Sequence, residues 1–182
     1  MTKSLLVIDI QNDYFLGGRM ELVGAVEAAE NAARIQRHFR DAGLPVIHVQ
    51  HIALSPTATF FLPETYGAEI NEIAAPVGDE PIITKHFPNG FRETILQSTL
   101  SDLAVEELTV VGMMTHMCVD TTVRAASDAG FKVTLIGDAC ATKDLEFAGD
   151  SVSAADVQIA YLAAIDGSFA RVLTTNDYLG VA

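Results

Sequence analysis

Leu108-Thr109-Val110-Val111-Gly112-Met113-Met114-Thr115-His116-Met117-Cys118-Val119-Asp120-Thr121-Thr122-Val123-Arg124-Ala125-Ala126 is the stretch from which the fold is read. It opens on a β-type apolar run, Leu108 to Val111, and closes on a helical pattern, so it reads as strand, turn and helix. The turn delivers Cys118 to the helix start, where unpaired backbone N–H groups and the positive end of the helix dipole favour thiolate over thiol. A small apolar cysteine at such a junction is equally an ordinary packing residue. Two other strand ends tell for chemistry: Leu5 to Ile8 stops at Asp9, and Pro81 to Thr84 stops at Lys85. In a parallel sheet the carboxyl ends of all strands open on one side, so Asp9, Lys85 and Cys118 are expected to converge in one crevice.

Six strand-like runs recur along the chain, at 4–8, 45–50, 81–84, 108–111, 132–136 and 171–174, mostly separated by helical patterns, as in βαβ units. Ala28, Ala32, Ile35, Phe39 and Ala42 give the first helix one apolar stripe to lay on the sheet. Two helix-to-strand joints are near copies, Asp41-Ala42-Gly43 and Asp128-Ala129-Gly130, each with glycine at a left-handed cap; Asp166-Gly167 repeats the device. Ser153 and Asp156 have capping-box spacing before a last long helix. The segment 52–78 lacks periodicity and reads as a long loop with a short helix near 69–73. The expected architecture is α/β: a six-stranded, mostly parallel sheet with helices on both faces, a three-layer sandwich in one domain spanning 1–182.

Composition narrows the partners. With 24 acidic against 11 basic residues the formal charge is −13, which would repel a phosphate backbone, so no nucleic acid is expected. Apolar runs are too short to cross a bilayer, no secretory leader is visible, and two cysteines, Cys118 and Cys140, make no disulfide framework. A cytoplasmic, reducing setting suits a reactive thiol, with Cys140 a packed bystander.

The chain resembles the isochorismatase-like cysteine hydrolases, the superfamily that also contains nicotinamidases and other amidases. Three motifs carry the resemblance: Asp9-Ile10-Gln11-Asn12-Asp13-Tyr14 after the first strand, Lys85 followed by Phe91 and Thr94, and the segment from Gly112 to Ala126. The resemblance implies a Rossmann-like strand order, Cys118 as nucleophile, Asp9 as proton acceptor and donor, and Lys85 as the cation that holds the pair charged. It further implies a cis peptide between Met113 and Met114, backbone N–H groups of Met114 and Cys118 as oxyanion donors, Tyr14 beside a substrate ring, and a dimer or tetramer.

On these residues the expected reaction is cleavage of a small-molecule amide C–N bond through a thioester. The alternatives are isochorismatase-type ether hydrolysis and a non-catalytic binding protein of the same fold. Phe60 and Phe61 are candidates for an aromatic pocket wall, or else anchors of the loop. Phe91 and His116 are candidate substrate contacts that also suit packing roles. Gln11, Asn12 and Asp13 are expected to hydrogen-bond the loop. No metal or other cofactor is expected: where the similar nicotinamidases carry an Asp-x-His pair, this chain has His51 and Ala53, and His48 and His51 should face opposite sides of their strand.

Overall fold

The computed structural model describes residues 2–181. Its elements are β1 (Thr2–Ile8), α1 (Ala25–Asp41), β2 (Val46–His51), β3 (Ile82–Lys85), α2 (Leu96–Asp102), β4 (Val105–Met113), α3 (Asp120–Asp128), β5 (Lys132–Ala141), β6 (Leu145–Phe147), β7 (Asp150–Val152), α4 (Ala154–Ile165), β8 (Arg171–Leu173) and α5 (Thr175–Leu179). Six strands form one sheet in the order β3-β2-β1-β4-β5-β8. Every neighbouring pair in it is parallel.

Alternation along the strands splits the apolar side chains between two cores. Leu5 and Val7 face α1 and α5, packing with Ala28, Ala32, Ile35 and Phe39; Leu6 and Ile8 face the other way, onto Leu96, Leu100, Val119, Val123 and Ala126. The stripe read on α1 is therefore core, with Ala32, Ile35 and Phe39 fully buried. The two copied joints hold glycine at positive φ, 64° at Gly43 and 92° at Gly130, as the left-handed caps require. Ser153 caps α4, its side chain accepting from the Asp156 backbone N–H.

The sheet pattern leaves β1 and β4 side by side while the chain runs β1, β2, β3 outward before returning to β4. That boundary is the topological switch point, where an open α/β sheet leaves a crevice at its carboxyl edge. Asp9 follows β1 there, and the Cys118 turn follows β4. Gly112 makes the approach possible: with φ at 138°, any Cβ on it would collide with the Ile8 carbonyl oxygen.

Two features differ from the sequence reading. An antiparallel hairpin, β6–β7, joins β5 to α4. Its strands have three residues each and are almost wholly exposed, so the alternation of Leu145 and Phe147 is too short to announce them. The segment 52–78 contains two single 3-10 turns, Tyr66–Ala68 and Glu72–Ala74, in place of one short helix. Among the described residues no helix is long and apolar enough to cross a membrane.

Candidate active site

Three strand ends and one helical turn build the site. β1 is followed directly by Asp9, whose backbone takes a left-handed φ of 49°, turning the chain sharply off the sheet. β3 ends in Lys85, on the same face as buried Ile83, and its parallel register partner is His51, the last residue of β2. β4 runs through a cis Met113–Met114 peptide into a π-helical turn, Thr115–Val119, that continues as α3 and carries Cys118. Thr115 pins this turn by donating to Gln158 Oε1 (2.7 Å), with the Ala141 carbonyl 3.2 Å from the same hydroxyl.

The three predicted groups meet. Lys85 Nζ lies 2.7 Å from Asp9 Oδ2 and 3.3 Å from Cys118 Sγ. Asp9 and Lys85 are fully buried, and Cys118 is 4% exposed. The Lys85–Asp9 approach is an ion pair rather than an aligned hydrogen bond, and neither Asp9 oxygen has a hydrogen-bond partner among the described residues. Lone pairs on Asp9 are thus left free to take a proton.

The electrostatics correct one expectation. From the sequence, the helix start and Lys85 should hold Cys118 ionised; in the structure burial pushes the thiol up, the Asp9 charge adds to this, and Lys85 does not compensate. Burial likewise raises Asp9 above the usual carboxylate range despite Lys85. Lys85 itself is desolvated, but its pairing with Asp9 and its contact with Cys118 outweigh this and keep it an ammonium. One buried ammonium offsets one anion, so Asp9 and Cys118 share a single negative charge. Cys118 is the weaker acid of the two, so the shared proton rests on sulfur and the charge on Asp9.

A fourth group, His51, escaped the sequence reading, which weighed it only against a metal pattern. Its Nδ1 lies 2.8 Å from Lys85 Nζ. The signal that points to it is the one used for the others: it ends a strand at the carboxyl edge. Asp9, His51 and Cys118 offer an oxygen, a nitrogen and a sulfur within 4.8 Å of one another, a spacing a metal ion can use. Lys85 Nζ already contacts all three residues, so the ammonium is the cation among them.

The remaining candidates divide. Tyr14 is buried, in edge contact with Phe61 (4.7 Å between centroids), and near enough to Cys118 and Asp9 that their charges add to burial in raising its hydroxyl pKa. Phe61 is buried and anchored: its N–H donates to Asp13 Oδ2 and its carbonyl accepts from Ala53 N, while its ring lies 5.8 Å from that of His51. Phe60 is half-buried beside both rings, 6.1 Å from Tyr14. His116 turns away from Lys85, with Nδ1 2.6 Å from Thr142 Oγ1 and its ring against Tyr161. Phe91 stacks on Phe131, the residue before β5 and thus at the opposite edge of the sheet. Gln11, Asn12 and Asp13 anchor the loop through the carbonyls of Ala68 and Tyr66 and the N–H of Phe61. Cys140 is buried, its Sγ donating to the Ile136 carbonyl.

Known proteins resemble this chain over nearly its whole length. The family model for the Isochorismatase domain matches residues 3–177. The chain belongs to the isochorismatase family. Within it, the chain is 48% identical to YddQ of Bacillus subtilis (strain 168), an uncharacterised isochorismatase family protein, over 98% of this chain and 99% of that one. A crystal structure of an isochorismatase from Pseudomonas putida KT2440 superposes with a TM-score of 0.89 at 38% identity, covering 96% of this chain and 89% of that one. A streptothricin hydrolase of Streptomyces noursei is 33% identical over 81% of this chain and 52% of that protein.

Proposed function

We propose that this isochorismatase-family protein is a cysteine hydrolase that cleaves a small-molecule amide C–N bond through a thioester on Cys118. The observation that carries the reading is the buried ammonium of Lys85 between an acid and a thiol at the switch point. Asp9 takes the thiol proton as Sγ attacks the carbonyl carbon, which moves the single negative charge onto the substrate oxygen. Backbone N–H groups of Met114 and Cys118 are assigned to that oxyanion. Asp9 then returns the proton to the departing amine, leaving the thioester. Water attacks it, Asp9 accepts the water proton, and that proton passes back to sulfur as the acid leaves. The Tyr14, Phe60 and Phe61 rings beside this cluster suit a planar or apolar substrate body. The similarity to a streptothricin hydrolase supports amide-type substrates.

A second reading rests on Asp9 alone. A carboxyl held above its usual range by burial is suited to protonating an ether oxygen, as isochorismatase-type cleavage needs, and that route does not require the thiol. A panel of streptothricin-type lactams, maleamate-like acids, nicotinamide and isochorismate separates the two, read as ammonia release or as gain of water mass. Turnover of an amide or lactam that Cys118→Ala abolishes, with an acyl adduct on Cys118 in the quenched enzyme, supports the thioester route. Turnover that Cys118→Ala keeps and Asp9→Asn abolishes supports the second.

A further inference from the structure

We infer that His51 is a positioning residue for the proposed chemistry: its Nδ1 accepts a hydrogen bond from Lys85 Nζ and holds the ammonium in place between Asp9, which the ammonium pairs by charge, and Cys118, to which it donates. This inference rests on the cysteine-hydrolase reading of the same site.

An ammonium has three donors and no acceptor. Lys85 Nζ has three neighbours in reach, His51 Nδ1 at 2.8 Å and Cys118 Sγ at 3.3 Å as hydrogen-bond partners and Asp9 Oδ2 at 2.7 Å as an ion pair, so two N–H bonds are assigned to His51 and Cys118 while Asp9 is held by charge. Because Lys85 can only donate, Nδ1 must present its lone pair and the ring hydrogen must sit on Nε2. The contact holds only while the ring is neutral, and burial, with the charge of Lys85 and then of His86, lowers His51 to about 3. Nε2 has no protein partner among the described residues and, unlike His48 Nδ1, is not sealed from solvent.

The backbone of His51 is built to hold the ring there. Gln11, two residues past Asp9, clamps it on both sides: Gln11 Oε1 accepts from the His51 N–H (2.8 Å) and Gln11 Nε2 donates to the His51 carbonyl (2.9 Å). Gln11 is itself fully buried and fixed by donating to the Ala68 carbonyl (2.7 Å). Phe61 lies against the imidazole, and parallel pairing sets His51 beside Lys85. The turn that carries Asp9 thus also orients the residue that orients Lys85, so a shift at one member is felt at the others.

Two measurements test this. Nitrogen-15 spectra of histidine-labelled protein at neutral pH should show His51 as the Nε2–H tautomer with a hydrogen-bonded Nδ1, still neutral at pH values where free histidine is charged, and Lys85→Met should abolish that signature. An Nδ1–H tautomer or an imidazolium at neutral pH overturns the inference. The second measurement is the rate at which a small neutral iodoacetamide labels Cys118 in wild type, His51→Leu and His51→Asn. A misplaced ammonium slows labelling up to about a hundredfold in His51→Leu, and the acceptor oxygen of His51→Asn restores most of the rate. Equal rates in all three proteins, faster labelling in His51→Leu, or equal losses in both variants overturn the inference. Absence of turnover and of any acyl adduct on Cys118 with the substrate panel counts against the hydrolase reading, and the tautomer spectrum still decides the Lys85–His51 contact.

Discussion

Strand β2 carries two histidines three residues apart, and each sits beside an ion pair of opposite design. On one side, His48 Nε2 meets Glu80 Oε2 at 3.0 Å, and the same carboxylate takes two hydrogen bonds from Arg40 (2.7 and 2.8 Å) and one from Val77 N. On the other, His51 meets the cation, Lys85, and the acid across from it has no aligned donor. The two carboxylates respond in opposite directions. Burial works against the charge of Glu80, yet Arg40, Val77 and His48 hold it at about 2, while burial wins at Asp9 and raises it. A carboxylate whose lone pairs are all taken locks a loop to a strand; one left short of donors is ready to accept a proton.

Mutations should separate these regions, most sharply in turnover. Cys118→Ala removes thioester-dependent amide hydrolysis altogether, and Asp9→Asn lowers it by about 10²–10⁴. Glu80→Gln, which alters an acid of the other cluster, leaves the amide assay at the wild-type rate. If Glu80→Gln were as damaging as Asp9→Asn, the division between a locking and a reacting acid would fail.

The next effect is on stability. Lys85→Met strands a fully buried carboxylate and should cost about 3–5 kcal/mol in denaturant unfolding. Adding Asp9→Asn should return most of that, since the second change removes the uncompensated charge. A double variant no more stable than Lys85→Met would break the proposed pairing. Glu80→Gln, partly open to water, should cost only about 1 kcal/mol.

pH should distinguish the acids further. The folded state holds Glu80 at about 2 against an ordinary 4.5, so its contribution is complete above the ordinary value and is lost as pH falls toward 2. Acid unfolding of Glu80→Gln should lack that part of the slope. Asp9 shifts the other way, so the acid limb of turnover should lie above its ordinary 3.8. An acid limb at or below that value would mean that a well-paired carboxylate is the acceptor. Smallest of all, Phe91→Ala should cost about 1 kcal/mol through its lost contact with Phe131 and leave turnover untouched.

Much of this was legible in the residues, for a local reason. Apolar runs that stop on Asp9, Lys85 and the Cys118 turn mark strand ends, and parallel topology sends all such ends to one edge. His51 obeys the same rule but sits beyond a run broken by His48 and Gln50, so its strand end is harder to see. The protonation state was not legible, because the helix terminus and Lys85 are visible in the chain while the exclusion of water from Asp9 and Cys118 arises only on packing. The choice between contact and packing at Phe91 was open for a similar reason: nearness to Lys85 in sequence does not fix which edge of the sheet it reaches. The β6–β7 hairpin alternates over only three residues a strand, with Phe147 and Val152 exposed, which is too short a pattern to read beside the Ala148-Gly149 turn.

The shared charge is tested most directly by titrating the Cys118 thiolate through its ultraviolet absorbance, with Cys118→Ser as the blank. Cys140, buried and pushed up to about 12, is silent at neutral pH. One anion per ammonium predicts no Cys118 thiolate at neutral pH in wild type, ionisation only above the ordinary 9.0, and a marked fall of that midpoint in Asp9→Asn, where Lys85 faces sulfur alone. A wild-type thiolate already present at neutral pH, or a midpoint that Asp9→Asn leaves in place, would contradict it.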